Sequence, residues 1–281
     1  MIKQLLKNNK EMPQVGYGTW KLENTDETSE IIKTAIQCGY RLIDTASAYQ
    51  NEKAIGKGIE LSNIPREELI ISGKLWNEDR GYENIINACK KTIENLQCEY
   101  LDIYLIHWPA SMELYENWEE INAETWRAFE YLYENGIVKN IGVCNFKEHH
   151  LEALKKTAKV MPVINQIEVH PGQYPKSLIE YCEKAGMIIE GWSPLGSGKL
   201  MKKQQMIDIA EKYNTSVAKI CLAWAHHHNI IPLPKSSNEE RMKDNLDVES
   251  IKLKDEDIKI IDGIEKLAYS GLDPDKLTIF G

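Results

Sequence analysis

Eight short apolar, strand-like runs recur along this chain with helix-like stretches between them, and several end abruptly in a polar side chain. Val15–Gly18, Leu42–Asp44, Leu69–Lys74, Leu101–His107, Val138–Cys144, Val163–Glu168, Met187–Ser193 and Ile230–Pro232 read as strands. Glu27–Cys38, Tyr82–Leu96, Ala123–Asn135, His149–Lys156, Lys176–Ala185, Gln204–Lys212 and Arg241–Leu246 read as helices, with Gly39, Gly136 and Gly186 at stop positions. Regular strand–helix alternation without a Pro/Gly/Ser-rich linker predicts an α/β fold: one closed (β/α)8 TIM barrel spanning residues 1–281 as a single domain. The segment up to Pro13, with Asn8-Asn9 between two short mixed runs, predicts a β-hairpin laid across the bottom of the barrel.

A parallel barrel builds its active site from strand ends, so polar residues far apart in sequence meet at one mouth. Asp44, Tyr49, Lys74 and His107 stand at or just beyond such ends. A lysine closing an apolar run is costly to bury alone, and Asp44 at the end of the neighbouring strand is its natural partner. The pair by itself reads equally as a plain structural ion pair. Tyr49 adds chemistry, because an adjacent ammonium favours the phenolate and lowers a tyrosine pKa otherwise near 10. A lone histidine at a strand end is commonly structural, but His107-Trp108 offers a hydrogen-bond donor for a carbonyl oxygen together with an aromatic wall.

Composition narrows the partners. A net charge of −9 with interleaved lysines and acids opposes a nucleic-acid footprint. No run approaches the roughly 20 apolar residues of a membrane span, and the N-terminus lacks a signal-peptide core. Six cysteines without ligand-like spacing suit free thiols, so a cytoplasmic location is expected and no metal site is assigned. His226-His227-His228 falls in a helical stretch where consecutive side chains diverge by about 100°. His149-His150, at a helix start, reads as a surface pair. No G-x-G-x-x-G or phosphate-loop pattern is present, so a nucleotide would have to be held by barrel loops.

Read together, Gly16-x-Gly18-Thr19-Trp20, Asp44-Thr-Ala-x-x-Tyr49-x-Asn51-Glu52, Lys74-Leu-Trp76, His107-Trp108-Pro109, Gly142-Val-x-Asn145-Phe146, Gln166-x-Glu168-x-His170-Pro171, Ser193-Pro-Leu-Gly196 and Pro234-Lys235-Ser236 through Arg241 and Asn245 resemble the motifs of the aldo-keto reductases, in that family's order. The chain is similar to bacterial-type members, in the branch of 2,5-diketo-D-gluconate reductase and prostaglandin F synthase-like proteins. The resemblance implies NADPH-dependent, reversible reduction of aldehydes and ketones with a broad substrate range. It makes Tyr49 the proton donor, Lys74 its pKa-lowering partner, Asp44 the carboxylate holding Lys74, and His107 the residue orienting the carbonyl.

For NADPH, the resemblance implies contacts from Gly18, Thr19 and Trp20, and a carboxamide grip from Cys144, Asn145 and Gln166. It adds a stacking face from Trp192, a pyrophosphate loop of Ser193, Leu195 and Gly196, and an adenosine end at Lys235, Ser236, Ser237, Arg241, Asp244 and Asn245. Lys235 and Arg241, two cations flanking a helix start, favour the 2′-phosphate of NADP over the free hydroxyl of NAD. Cys144 stands where the family most often has serine, and Trp192 where it usually has tyrosine. Substrate would lie against Trp20, Tyr49, Trp76, His107 and Trp108. The tail from Leu267 is short, so it covers less of the pocket, and a monomer is the expected state. A non-enzymatic NADPH-binding accessory or structural barrel stays open as the alternative, as does a phosphate-binding isomerase or lyase barrel.

Overall fold

The computed structural model describes residues 4–276; the start of the hairpin and the end of the tail, residues 1–3 and 277–281, lie outside the described residues. Eight parallel strands follow one another in sequence order around one sheet. They are β1 (Tyr17–Gly18), β2 (Leu42–Asp44), β3 (Ile70–Leu75), β4 (Ile103–Ile106), β5 (Ile141–Cys144), β6 (Ile164–Glu168), β7 (Ile188–Trp192) and β8 (Ile230–Pro232). The helices are α1 (Asp26–Cys38), α2 (Glu52–Leu61), α3 (Tyr82–Asn95), α4 (Trp118–Glu134), α5 (Glu148–Lys155), α6 (Lys176–Lys184), α7 (Gln204–Lys212), α8 (Val217–His227), α9 (Glu239–Leu246) and α10 (Asp255–Asp262). Helices α2 and α10 are additional to those expected, α8 supplies the helical stretch read around His226-His227-His228, and α4 begins five residues earlier than its periodicity suggested. Gly39, Gly136 and Gly186 all take positive φ where helices turn into the following strand.

Side chains alternate along a strand, and here the alternation sorts two cores. Outward residues such as Ile43, Ile71, Tyr104, Val143 and Ile189 join the helices in the larger core. Inward residues Leu42, Ile70, Ile103, Leu105, Ile164, Ile188 and Ile231 fill the barrel, joined by Leu6 and Met12 from the N-terminal segment. That segment pairs Leu5 with Glu11 in a single antiparallel bridge and turns at Asn9, so the expected hairpin is present in shortened form. Leu6 and Met12 plug the bottom, in one apolar cluster with Leu42, Ile70, Ile103, Ile164 and Ile188.

The seam between β8 and β1 follows from two prolines. Pro232 and Pro234 carry no N–H, so toward β1 this stretch can only accept hydrogen bonds. Gly16 N–H donates to Pro232 O at 3.0 Å and Gly18 N–H to Pro234 O at 3.1 Å. The close approach requires glycine: a Cβ on Gly18 would sit 2.9 Å from the carbonyl oxygen of Leu233. Gly18→Ala is expected to open this seam at a cost of about 1–3 kcal/mol, read as a lower urea midpoint at unchanged m-value. An unchanged midpoint would show that the seam tolerates a side chain.

Candidate active site

The alternation that places Leu42, Ile70, Ile164 and Ile188 inside the barrel also places the residues two or four positions later inside it, nearer the C-terminal mouth. Asp44, Lys74, Cys144, Gln166 and Glu190 therefore form one polar inward layer above an apolar one. All five are buried, and Lys74 is completely enclosed. Lys74 Nζ donates to Asp44 Oδ2 at 2.6 Å, to Thr45 O at 2.9 Å and to the Tyr49 hydroxyl at 3.5 Å. The proposed pairing thus exists, and it reaches the tyrosine.

Tyr49 is held by local structure. It ends a 3-10 turn, Ser47–Tyr49, closed by Gln50 in the left-handed region and fastened to β3 by Ser47 Oγ donating to Lys74 O. Asn51 behind it is fully buried. Its Nδ2 donates to Thr19 O and Leu22 O while its Oδ1 accepts from Thr45 Oγ1. The loop after β1 and the Tyr49 turn are tied together by that one amide.

Burial at the mouth pushes the Tyr49 hydroxyl up to about 12, and the Lys74 ammonium pulls the other way. The direction expected from Lys74 alone is present, but desolvation outweighs it, so Tyr49 stands as a protonated phenol. For Lys74 burial disfavours the ammonium, yet Asp44 and the groups around it more than offset this and its pKa is raised. His107 lies across from Tyr49 with ring centroids 5.7 Å apart, and its other flank meets Trp76 at 5.2 Å. Burial, with Lys74 in second place, holds His107 well below the usual histidine range, so the imidazole is neutral. Its Nδ1 is buried without a partner among the described residues.

Around this set, Asn145 takes positive φ just after β5. Its Nδ2 donates to His107 O at 3.0 Å and to Cys144 Sγ at 3.2 Å, and its Oδ1 accepts from Trp192 Nε1 at 2.8 Å. The tryptophan that replaces tyrosine is thereby locked to Asn145 by an indole N–H that a tyrosine lacks. Gln166 Nε2 donates to Asp44 Oδ1 at 2.9 Å and to Glu190 Oε2 at 2.7 Å, so the atom it has left to offer is Oε1, 3.7 Å from Cys144 Sγ. Burial keeps the Cys144 thiol protonated.

The other named residues spread along the rim. Trp20 is exposed and Trp76 half-buried, whereas Trp108 is buried behind His107. Thr19 is tied through Oγ1 to Asp44 O. Ser193 and Gly196 both have positive φ, and Leu195 between them is half-buried. Near the start of α9, Ser236 Oγ accepts from Asn238 N–H, and Ser237, Lys235 and Arg241 are exposed. Among the described residues neither cation has an acidic partner, which fits a site for an external phosphate. Asn245 is buried, and Asp244 is already engaged by Lys219 Nζ at 3.2 Å and Ser216 Oγ at 3.3 Å.

Three features went unread in the sequence. Glu190 was one, although its parity with Ile188 is a signal that could have found it. The tail was another: Ser270 caps Glu168 with N–H and Oγ bonds at 2.9 and 2.7 Å, and Asp275 binds Lys147 at 2.6 Å and His149 at 2.8 Å. The third corrects the surface reading of His149-His150. His150 is fully buried and its Nδ1 accepts from Lys147 N–H to cap α5. His149, His150 and Asp275 bring ligand atoms within 4.8 Å of one another, but the Lys147 ammonium fills the acceptor side of that group.

A model of the aldo/keto reductase family matches residues 14–266. The chain belongs to the aldo/keto reductase family. This aldo/keto reductase is 45% identical over 272 residues to glyoxal reductase of Bacillus subtilis (strain 168), covering 97% of this chain and 96% of that one. It is 37% identical over 276 residues to methylglyoxal reductase DkgA of Escherichia coli (strain K12), covering 96% of each. Among solved structures, a point mutant of Gox0644 in complex with NADPH superposes with a TM-score of 0.90 at 36% identity, covering 99% of this chain and 98% of that one. Eight parallel strands with a reductase family match make this chain an oxidoreductase of carbonyl and alcohol groups. Among the described residues of this reductase no helix is long and apolar enough to cross a membrane.

Proposed function

We propose that this reductase converts small aldehydes and ketones, dicarbonyls such as glyoxal and methylglyoxal among them, to alcohols with NADPH, acting as a cytoplasmic monomer. The observation that carries this reading is Lys74 Nζ placed between Asp44 Oδ2 at 2.6 Å and the Tyr49 hydroxyl at 3.5 Å, opposite a neutral His107. Bound NADPH supplies the hydride, two electrons and one hydrogen, to the carbonyl carbon. Tyr49 gives its hydroxyl proton to the carbonyl oxygen and is reprotonated from solvent, so RCHO, NADPH and H⁺ become RCH₂OH and NADP⁺. His107 orients that oxygen by donating a hydrogen bond, which a neutral imidazole can do from one nitrogen. Lys74 limits the cost of the developing phenolate, and Asp44 fixes Lys74. Gln166 Oε1 would be the acceptor for the carboxamide N–H₂, and Trp192 would provide the stacking face. Positioning both reactants over a dry, fixed set of dipoles removes much of the entropic barrier.

Initial rates with glyoxal, methylglyoxal and 4-nitrobenzaldehyde, each with NADPH and NADH, test the reading. Turnover with NADPH well above NADH is expected, while binding of NADPH without oxidation by any carbonyl would support a non-enzymatic barrel. Lys235→Ala and Arg241→Ala are each expected to weaken NADPH binding roughly tenfold, because each removes a charged partner of a phosphate. NADH affinity should not change in the same fluorescence titrations; an equal loss for both cofactors would contradict the 2′-phosphate assignment.

A further inference from the structure

Behind the Tyr49 unit the barrel buries an acid that the reaction as written does not use. Glu190 lies in β7, fully enclosed, in register with Gln166 on one side and Ile231 on the other. Among the described residues its carboxylate has one hydrogen-bond partner, Gln166 Nε2, which it shares with Asp44, and its Oε1 has none. The charged groups facing it are Asp44 from β2 and Lys74 from β3; Cys144 from β5 is a protonated thiol, and β8 presents the apolar Ile231. Lys74 is already paired with Asp44. An ionised Glu190 is therefore a second buried anion with half an amide for company, and such a group takes a proton instead.

Burial first, and the Asp44 charge second, push Glu190 up to about 7. Four of its ionisable neighbours are moved away from that range: Tyr49 and Cys144 are pushed up, Lys74 is raised and His107 is well below its usual range. Gln166 links Glu190 to the place where the nicotinamide would lie. Both N–H groups of its amide are held by carboxylates, so Glu190 also fixes which atom Gln166 turns toward the mouth.

A reduced nicotinamide ring is uncharged and an oxidised one carries a positive charge. We propose that Glu190 is a positioning residue that answers this charge through Gln166, keeping its proton in the NADPH complex and losing it to solvent in the NADP⁺ complex. The inference rests on the NADPH reading above. The enzyme then holds NADP⁺ more firmly as pH rises through neutrality, while its grip on NADPH does not follow.

The test is the ratio of the NADP⁺ and NADPH dissociation constants, from tryptophan fluorescence titrations between pH 5.5 and 9, for the wild type and Glu190→Gln. The 2′-phosphate titrates in both cofactors and cancels in the ratio. Relative to NADPH, wild-type affinity for NADP⁺ is expected to rise about tenfold across this range, as one pKa unit of linkage requires. In Glu190→Gln the ratio is expected to be flat, because glutamine keeps the shape and cannot ionise. A flat wild-type ratio, or an equal slope in the variant, overturns the proposal. If the variant does not fold, calorimetry of the wild type in buffers of different ionisation enthalpy decides: NADP⁺ binding at pH 7 should release more protons than NADPH binding, and equal release overturns it. Absence of binding by either cofactor would instead overturn the cofactor reading.

Discussion

Tyr49→Phe is expected to lower the rate of carbonyl reduction about 10²–10⁴-fold while leaving NADPH affinity within a factor of two. The hydroxyl is the sole atom removed, and among the described residues its one hydrogen-bond partner is the Lys74 ammonium at 3.5 Å, so the fold loses little. Catalysis loses the proton that the carbonyl oxygen must receive. Because burial holds this hydroxyl near 12, the protonated form that reduction needs persists across the working range, and reduction should not decline from tyrosine ionisation below about that pH. The reverse reaction needs the phenolate, so alcohol oxidation should climb with pH below the same value. Both trends should vanish with the hydroxyl. A Phe variant that keeps most of its rate would remove Tyr49 from the mechanism.

Lys74→Met should be as damaging to activity and, unlike Tyr49→Phe, should also cost about 3–5 kcal/mol of stability. It leaves Asp44 buried with Gln166 Nε2 as its remaining side-chain partner, and an uncompensated buried carboxylate is expensive. The pair also links stability to pH. Lys74 has a raised folded-state pKa, so its contribution is complete below the unfolded lysine value and is lost as pH rises through the folded one. Joining Asp44→Leu to Lys74→Met should return most of the lost stability, since apolar replacement of a whole buried pair is often neutral, yet should return none of the activity. Urea unfolding and NADPH oxidation, measured on wild type, single and double variants, separate the two roles. Activity in the double variant would make the pair a strut and nothing more.

What the chain discloses before folding depends on how local the cause is. The strands and the residues that end them were legible because a short apolar run and its polar terminator sit within seven residues of each other, as in Leu101–His107. Helix α2 was hidden by Gly56 and Gly58, which interrupt the helical pattern. The structure explains both: a Cβ on Gly56 would lie 2.5 Å from Leu96 O, and one on Gly58 2.6 Å from Ser29 O, so neighbouring elements demand the glycines. The meeting of Asp44, Lys74, Tyr49 and His107 at one mouth was legible, and the electrostatic balance there was not. Tyr49 is half-buried, and the desolvation of its hydroxyl depends on the whole mouth, which no single strand encodes. The tail was judged by its length, whereas Ser270 on Glu168 and Asp275 on Lys147 fasten it to the ends of β6 and β5 across more than a hundred residues of sequence. Glu190 lay between, since inward parity marks it at once but its isolation appears only when Lys74 is seen to be engaged.

In the proposed reaction Asp44, Lys74 and Tyr49 act as one proton-donating unit toward a carbonyl aimed by His107. A single turnover tests it most directly: wild-type protein loaded with one equivalent of NADPH is mixed with excess 4-nitrobenzaldehyde, and absorbance at 340 nm and the organic product are followed together. Stoichiometric loss of NADPH matched by 4-nitrobenzyl alcohol is expected, and neither in Tyr49→Phe on the same timescale. NADPH that stays bound and unoxidised in the wild type would contradict it.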